Sequence, residues 1–458
     1  MPPLSRPPAV LSQIGNTPLI ELTRFDTGPC RLFLKLENQN PGGSIKDRIA
    51  LTMIEAFERD GRLKPGGTLI EATAGNTGLG LALVAAAKGY RLILIIPDKM
   101  ALEKINHLRA LGAEVRITRS DVGKGHPEYY QDMAERLTAE TPGAVFVNQF
   151  ANPANPVAHE IGTGPEILKQ MDGDLDAMVV GVGSGGTLSG LGRFFKANSP
   201  KTKMVLADPR GSILADLVKT GKHDEPGSWV VEGIGEDFVP PNCDLSLVGG
   251  AYTISDQEAL LTARELLVKE GILAGSSTGT LLAAALRYCR DQTEPKRVVT
   301  LACDTGNKYL SKMFNDFWMA DQGFLDRQQH GDLRDLISRR HDLGQAVTVT
   351  AEDTLLTAYK RMRVADVSQL PVVEGSRIVG LLDESDLLMR VVGASDHFSD
   401  TVASAMNTRL ETIDAAKPVA TLTEIFAKDY VALVVDGDQF LGLITRIDLL
   451  NHLRRKIA

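Results

Sequence analysis

The chain has 458 residues, enough for about three structural units at roughly 150 residues each. Hydrophobic residues make up 43% and charged residues 24%, with 43 glycines, so this is globular material able to bury a large core. The net charge of −8 argues against a nucleic-acid partner, and no apolar run reaches the roughly 18 residues of a membrane span.

In chain order, short β-branched runs alternate with Ala/Leu-rich stretches from about residue 14 to 310. Strands are expected at 91–98 (RLILIIPD), 114–118 (EVRIT), 177–183 (AMVVGVG), 203–209 (KMVLADP) and 297–304 (RVVTLACD). NTGLGLALVAAAKG, LEKINHLRALG, DQEALLTARELLVKEG and GTLLAAALRYCRD read as the helices between them. Such alternation predicts a doubly wound α/β body with ligands at the carboxyl ends of parallel strands. The opening MPPLSRPPAV lacks the apolar core of a signal peptide. Cys30, Cys243, Cys289 and Cys303 are scattered with no C-x-x-C pair, so reduced thiols and a cytoplasmic location are expected.

After a polar stretch the texture changes. LPVVEGSRIVGLLDESDLL (370–388) matches ALVVDGDQFLGLITRIDLL (432–450) without a gap. Gly380 pairs with Gly442, Asp386 with Asp448 and, upstream, Thr350 with Thr412, each 62 positions apart. Each copy reads as strand, helix, two strands, helix, and is too small to bury a face alone, so the two pack together. The expected domains are a catalytic body at 1–320, a linker at 321–344 and a repeat pair at 345–458, with copies at 345–395 and 401–455.

Four segments carry candidate chemistry. Gly181, Gly183 and Gly186 fall on the spacing G-x-G-x-x-G after a strand, and Asp208 follows 22 positions later, which reads as a dinucleotide fingerprint or as a loop for another phosphate. NQNPGGSIKDRIA delivers Lys46 to the first turn of a helix expected to run to Phe57. The positive end of the helix dipole and partial desolvation both disfavour its ammonium and free the amine as a nucleophile. EATAGNTGLG places small hydroxyls and exposed N–H groups at a helix start, which suits a carboxylate or phosphate, and otherwise is a capping turn. LACDTGNKY ends a strand with the Thr305 hydroxyl, which otherwise caps a helix.

The ordered set IGNTPLIEL, PGGSIKDR, EATAGNTG, QFANPANPVAHE, GSGGT, VEGIGEDFVP and DTGNKY resembles the fold-type II pyridoxal-phosphate β-synthases, over residues 10 to 315. That group contains the cysteine synthases and the cystathionine β-synthases. The repeat resembles a pair of CBS domains, and a body followed by that pair is the cystathionine β-synthase arrangement. The resemblance implies that Lys46 bonds covalently to pyridoxal phosphate and that Asn76 meets its phenolic oxygen. Gly183, Ser184, Gly185, Gly186 and Thr187 would wrap the phosphate. Thr73, Ala74, Thr77 and Gln149 would hold the substrate carboxylate, and Thr305 or its neighbour Asp304 would face the ring nitrogen. Ala74 and Thr305 stand where relatives often carry serine.

It further implies β-replacement that joins L-serine to L-homocysteine, with the cysteine-synthase reaction on sulfide as the alternative. Glu236 is the candidate for the homocysteine ammonium, or else an exposed loop carboxylate. In CBS pairs the aspartate of the strand–helix turn holds ribose hydroxyls, so Thr445 and Asp448, with Asp386 in the other copy, are candidates for S-adenosylmethionine or an adenine nucleotide. Asp383 in the first copy would repel a phosphate, which favours the second site; the alternative is a pair that only mediates oligomer contacts. No histidine precedes His107, so no haem is expected, and no metal. A homodimer or larger assembly is the family expectation.

Overall fold

The computed structural model describes residues 9–73, 75–98, 102–123, 125–326, 330–392 and 395–455. They form two compact units that divide at residues 314 and 315.

The first unit holds two sheets. The larger has the order β1-β2-β10-β7-β8-β9, built from β1 (Leu19–Glu21), β2 (Arg31–Lys35), β7 (Ala177–Val180), β8 (Lys203–Pro209), β9 (Gly250–Ile254) and β10 (Arg297–Leu301). Only β1 runs antiparallel to its neighbour. The smaller sheet, all parallel, has the order β5-β4-β3-β6, from β3 (Thr68–Ala72), β4 (Arg91–Pro97), β5 (Glu114–Thr118) and β6 (Ala144–Phe146). The five strands expected from apolar runs are all present. The central ones are buried on both faces, as parallel strands covered by helices require: Ala177 to Val180 are each 0% exposed, whereas the edge strand β5 is half-buried. The α/β expectation is thus borne out.

Two helices set the site. α1 (Lys46–Arg59) buries Ile49, Ala50, Met53, Ile54 and Phe57 on one face and begins at the lysine. α2 (Asn76–Lys88) lies against it, and Gly80 makes that approach possible, since a Cβ there would sit 2.9 Å from the carbonyl oxygen of Lys46. α2 stops at Gly89, whose φ of +76° ends the helix in the left-handed region.

The second unit contains the hairpin β11 (Gln369–Glu374) and β12 (Arg377–Asp383). It also contains a three-stranded sheet of β13 (Thr412–Asp414), β14 (Ala432–Asp436) and β15 (Gln439–Ile444). The repeat is visible in register, with a shift at Val372/Val373 in one hairpin and at Val434/Val435 in the other. The copies differ at their first strand, which is β13 in the second but a single bridge, Val349 to Val372, in the first.

The segment read as a linker is in part folded. Leu333, Leu336 and Ile337 are buried in one cluster with Ile413, Leu422, Val434 and Ile444 of the second copy. Polarity dominates its composition, which hid three apolar residues at helical spacing. Leu333→Ala should therefore destabilise the second unit by about 2–5 kcal/mol, whereas a linker residue would cost almost nothing. Thermal unfolding followed by a signal from the second unit measures the difference.

Candidate active site

A cavity of about 260 Å³ opens where the carboxyl ends of the two sheets meet in the first unit. Lys46, Thr73, Asn76, Thr77, Gln149, Gly183 to Thr187, Glu236, Ser277 and Cys303 line it. Segments more than two hundred residues apart in sequence thus converge there.

Lys46 opens α1, and its backbone N–H donates to the Ser44 hydroxyl at 3.2 Å. Burial lowers the proton affinity of its amine, opposed by Cys303 and Asp304 nearby. Burial likewise pushes the Cys303 thiol up to about 12, so it stays protonated and is no nucleophile at neutral pH.

The glycine loop joins β7 to the helix Gly186–Asn198, whose start has no side-chain cap. Its first N–H groups are therefore without an internal acceptor, which is how helices bind anions. The glycines are needed for close approach. A Cβ on Gly183 would lie 2.5 Å from the carbonyl oxygen of Gly233, one on Gly186 would lie 1.9 Å from Asn155 Oδ1, and Gly185 has φ of +85°. Asn155 ties the loop down by donating to Ser184 Oγ at 2.9 Å and to the Gln149 carbonyl at 2.7 Å. Thr187 Oγ1 lies 3.2 Å from His159 Nε2.

Thr77 donates to Gln149 Oε1 at 2.6 Å, and Glu71 accepts from the Gln149 N–H at 3.0 Å. Burial raises the Glu71 carboxyl to about 7 against these backbone donors. Thr73 Oγ1 accepts from the Gly75 N–H at 3.2 Å, and Ala74 lies outside the described residues. Asn76 bridges two groups: it donates to Asp304 Oδ2 at 2.9 Å and accepts from Lys308 Nζ at 2.6 Å. Glu236 stands on the wall with its carboxyl raised to about 8, by burial and by the charges of Asp237 and Asp208.

Two expectations need correction in position. Thr305 does not line this cavity; it faces a neighbouring one with Gly43 and Lys308, and its hydroxyl caps the turn at Asn307. Asp304 is fully buried, bonded to Asn76 and to the Tyr309 hydroxyl at 2.7 Å, and is also off the wall. A hydroxyl that does line the cavity, and that the sequence reading missed, is Ser277, at the start of the helix Ser276–Arg290. Its signal was the run GSSTGT, small hydroxyls at a predicted helix start, as in AGNTG. Asp208 caps a helix by accepting from the Ala215 N–H at 2.8 Å, which leaves it no ribose role.

In the second unit, Thr445 and Asp448 line a cavity of about 380 Å³ with Ser338, Arg339 and Asp366. Asp448 Oδ2 accepts from the Thr445 N–H at 2.8 Å and from its hydroxyl at 2.6 Å, and its other oxygen bonds Ser338. In the first copy Asp383 caps its own helix, accepting from the Asp386 N–H at 2.8 Å, while Asp386 accepts from the Asp383 N–H at 3.2 Å.

The chain belongs to the pyridoxal-phosphate dependent enzyme family, which it matches over residues 10–304, and it matches the CBS domain at 333–393 and 402–455. It is a cystathionine β-synthase-like enzyme of the lyase class. Cystathionine β-synthase of Dictyostelium discoideum is 35% identical over 97% of this chain and 92% of its own. Cysteine synthase A of Escherichia coli strain K12 is 42% identical, over 65% of this chain and 92% of its own. A solved hydrogen sulfide-producing enzyme from Fusobacterium nucleatum has a TM-score of 0.61 at 37% identity, over 66% of this chain and 99% of its own. Among the described residues no helix is long and apolar enough to cross a membrane.

The crowded glycine loop gives a direct test. Gly186→Ala should weaken cofactor retention about tenfold or more, because displacing Asn155 costs about 1–3 kcal/mol and disturbs the uncapped N–H groups. Cofactor absorbance after dialysis reads the loss; full retention would show that the loop holds nothing.

Proposed function

We propose that the enzyme joins L-serine to L-homocysteine by β-replacement, giving cystathionine. The observation that carries the reading is the single cavity that gathers a poorly hydrated lysine amine, an uncapped helix start and a carboxylate-sized set of hydroxyl and amide groups. These residues fit pyridoxal phosphate. Gly183, Ser184, Gly185, Gly186 and Thr187 would hold its phosphate, Asn76 its phenolic oxygen, Lys46 its carbonyl carbon, and Ser277, in place of Thr305, its ring nitrogen. When bound, the group supplies an electron sink for charge that develops at the Cα of the amino acid.

The protein's own contribution is then proton handling and orientation. Thr73, Thr77 and Gln149 fix the serine carboxylate, so that the Cα–H bond faces Lys46. Lys46 Nζ, with its lowered proton affinity, takes the Cα proton and passes it to the β-hydroxyl, which departs as water; as the thiol sulfur then bonds Cβ, Lys46 takes up the thiol's proton and delivers it to Cα. A hydroxyl at the ring nitrogen leaves that nitrogen closer to neutral than a carboxylate would, which favours loss of the β-substituent.

Glu236 supports an amino-acid thiol over sulfide, which has no ammonium to pair with it. The second reading is a cysteine synthase, favoured by the 42% identity of the body to the Escherichia coli enzyme. In the second unit, the Thr445–Asp448 cavity supports an adenosyl ligand, S-adenosylmethionine or a nucleotide. The equivalent turn of the first copy carries a second carboxylate, Asp383, which would repel a phosphate. A cytoplasmic homodimer or larger assembly completes the reading.

Serine supplied with homocysteine should give cystathionine faster than serine or O-acetylserine with sulfide gives cysteine; the reverse order selects the second reading. Calorimetry with S-adenosylmethionine should show heat that Asp448→Ala removes. Because an ionised Glu236 is needed to pair with an ammonium, and its carboxyl ionises only near pH 8, the KM for homocysteine should fall as pH rises through that value. In Glu236→Gln that limb of the KM profile should be flat.

A further inference from the structure

Beside the lysine helix lies a buried ionic network that the chemistry above does not use. Lys35 and Glu37 are 0% exposed, and the Arg48 and Glu166 side chains 6% and 16%. Arg48 grips Glu37 with Nε and Nη2 at 2.7 and 2.8 Å, and Glu166 with Nη1 and Nη2, both at 2.7 Å. Lys35 Nζ donates to Glu166 at 2.8 Å, to Gln170 at 2.9 Å and to the Thr17 carbonyl at 2.6 Å. The Thr17 hydroxyl and the Asn40 amide nitrogen complete the donors to the Glu37 carboxylate, at 2.6 and 2.9 Å.

Taking four charges out of water is expensive, and apolar residues of the same volume hold such a seam at least as well. What apolar packing lacks is direction. Two forked contacts on one guanidinium fix both distance and angle.

The network joins two particular elements. Arg48 is two residues after Lys46, so on α1 the two side chains leave on different faces, one into the network and one into the cavity. Glu166 belongs to the helix Gly164–Gln170, which continues from a π-helical turn, His159–Thr163. Such turns are rare and cluster at functional sites. From this turn His159 reaches Thr187, in the first turn of the helix that follows the glycine loop. A continuous path therefore runs from the lysine helix through Arg48 and Glu166 to the loop at the other end of the cavity.

We propose that the Arg48–Glu166 pair is a strut that sets the separation between Lys46 and the glycine loop, which makes both positioning residues for the cofactor. The proposal rests on the cofactor reading above. A cofactor bonded at one end and cradled at the other tolerates little change in that separation, and misplacement on the order of 1 Å costs about 100-fold in rate.

The test uses purified holoenzyme of Arg48→Lys, which keeps the charge but loses the fork, and Glu166→Gln, which keeps the shape but loses the charge. Leu266→Ala, at a fully buried position in the large core, is the control for lost stability alone. Both network variants should release pyridoxal phosphate about tenfold or more faster than wild type, and kcat should fall more than KM rises. The pH titration of the cofactor's visible band should also be displaced, with Leu266→Ala unchanged in all three. Variants that melt earlier yet match Leu266→Ala in release rate and titration would overturn the strut. Wild-type protein that carries no pyridoxal phosphate would overturn the cofactor reading itself, and the strut with it.

Discussion

The catalytic unit is organised around one constraint: a lysine amine must be kept poorly hydrated while bare helix N–H groups stay open to an anion in the same cavity. These demands conflict, because water that solvates one will solvate the other. Two sheets resolve them. The larger supplies the glycine loop after β7, the smaller supplies the hydroxyl turn after β3, and α1 crosses between with its first residue at the junction. Gly80 matters here out of proportion to its size, because a side chain would push α2 off the Lys46 backbone and let water in.

Much of this was legible from sequence, for physical reasons that also mark the limits. The parallel strands were readable because burial on both faces forces continuous apolar runs, as in RLILIIPD. The glycine loop was readable as a phosphate turn but ambiguous in ligand, and Lys46 with Asn76 resolved it. Which hydroxyl reaches the cavity was not legible, because Thr305 and Ser277 both sit where a turn enters a helical segment, and only the fold shows that Ser277 lines it and Thr305 does not. The ionic network was not legible at all. Its partners are 11 to 131 residues apart, and each alone is an ordinary charged residue.

The carboxyl groups show how environment, not residue type, decides charge. Glu71, Asp47 and Asp208 are buried without a cation in hydrogen-bond contact and are raised to about 7, 6 and 6. Glu166 is half-buried, and the Arg48 and Lys35 donors hold it down to about 2. The first set satisfies backbone N–H groups and shapes loops; the second locks elements together. Glu236 belongs with the first set in energetics but lines the cavity.

The capping box of Asp383 and Asp386 carries a different lesson. In the first copy two carboxylates spend lone pairs on the turn that enters the helix, whereas in the second Asp448 bonds the Thr445 N–H, the Thr445 hydroxyl and Ser338. A module built by doubling is therefore not bound to symmetry: a small molecule would meet two chemically different turns, one with two carboxylates and one with a carboxylate and a hydroxyl.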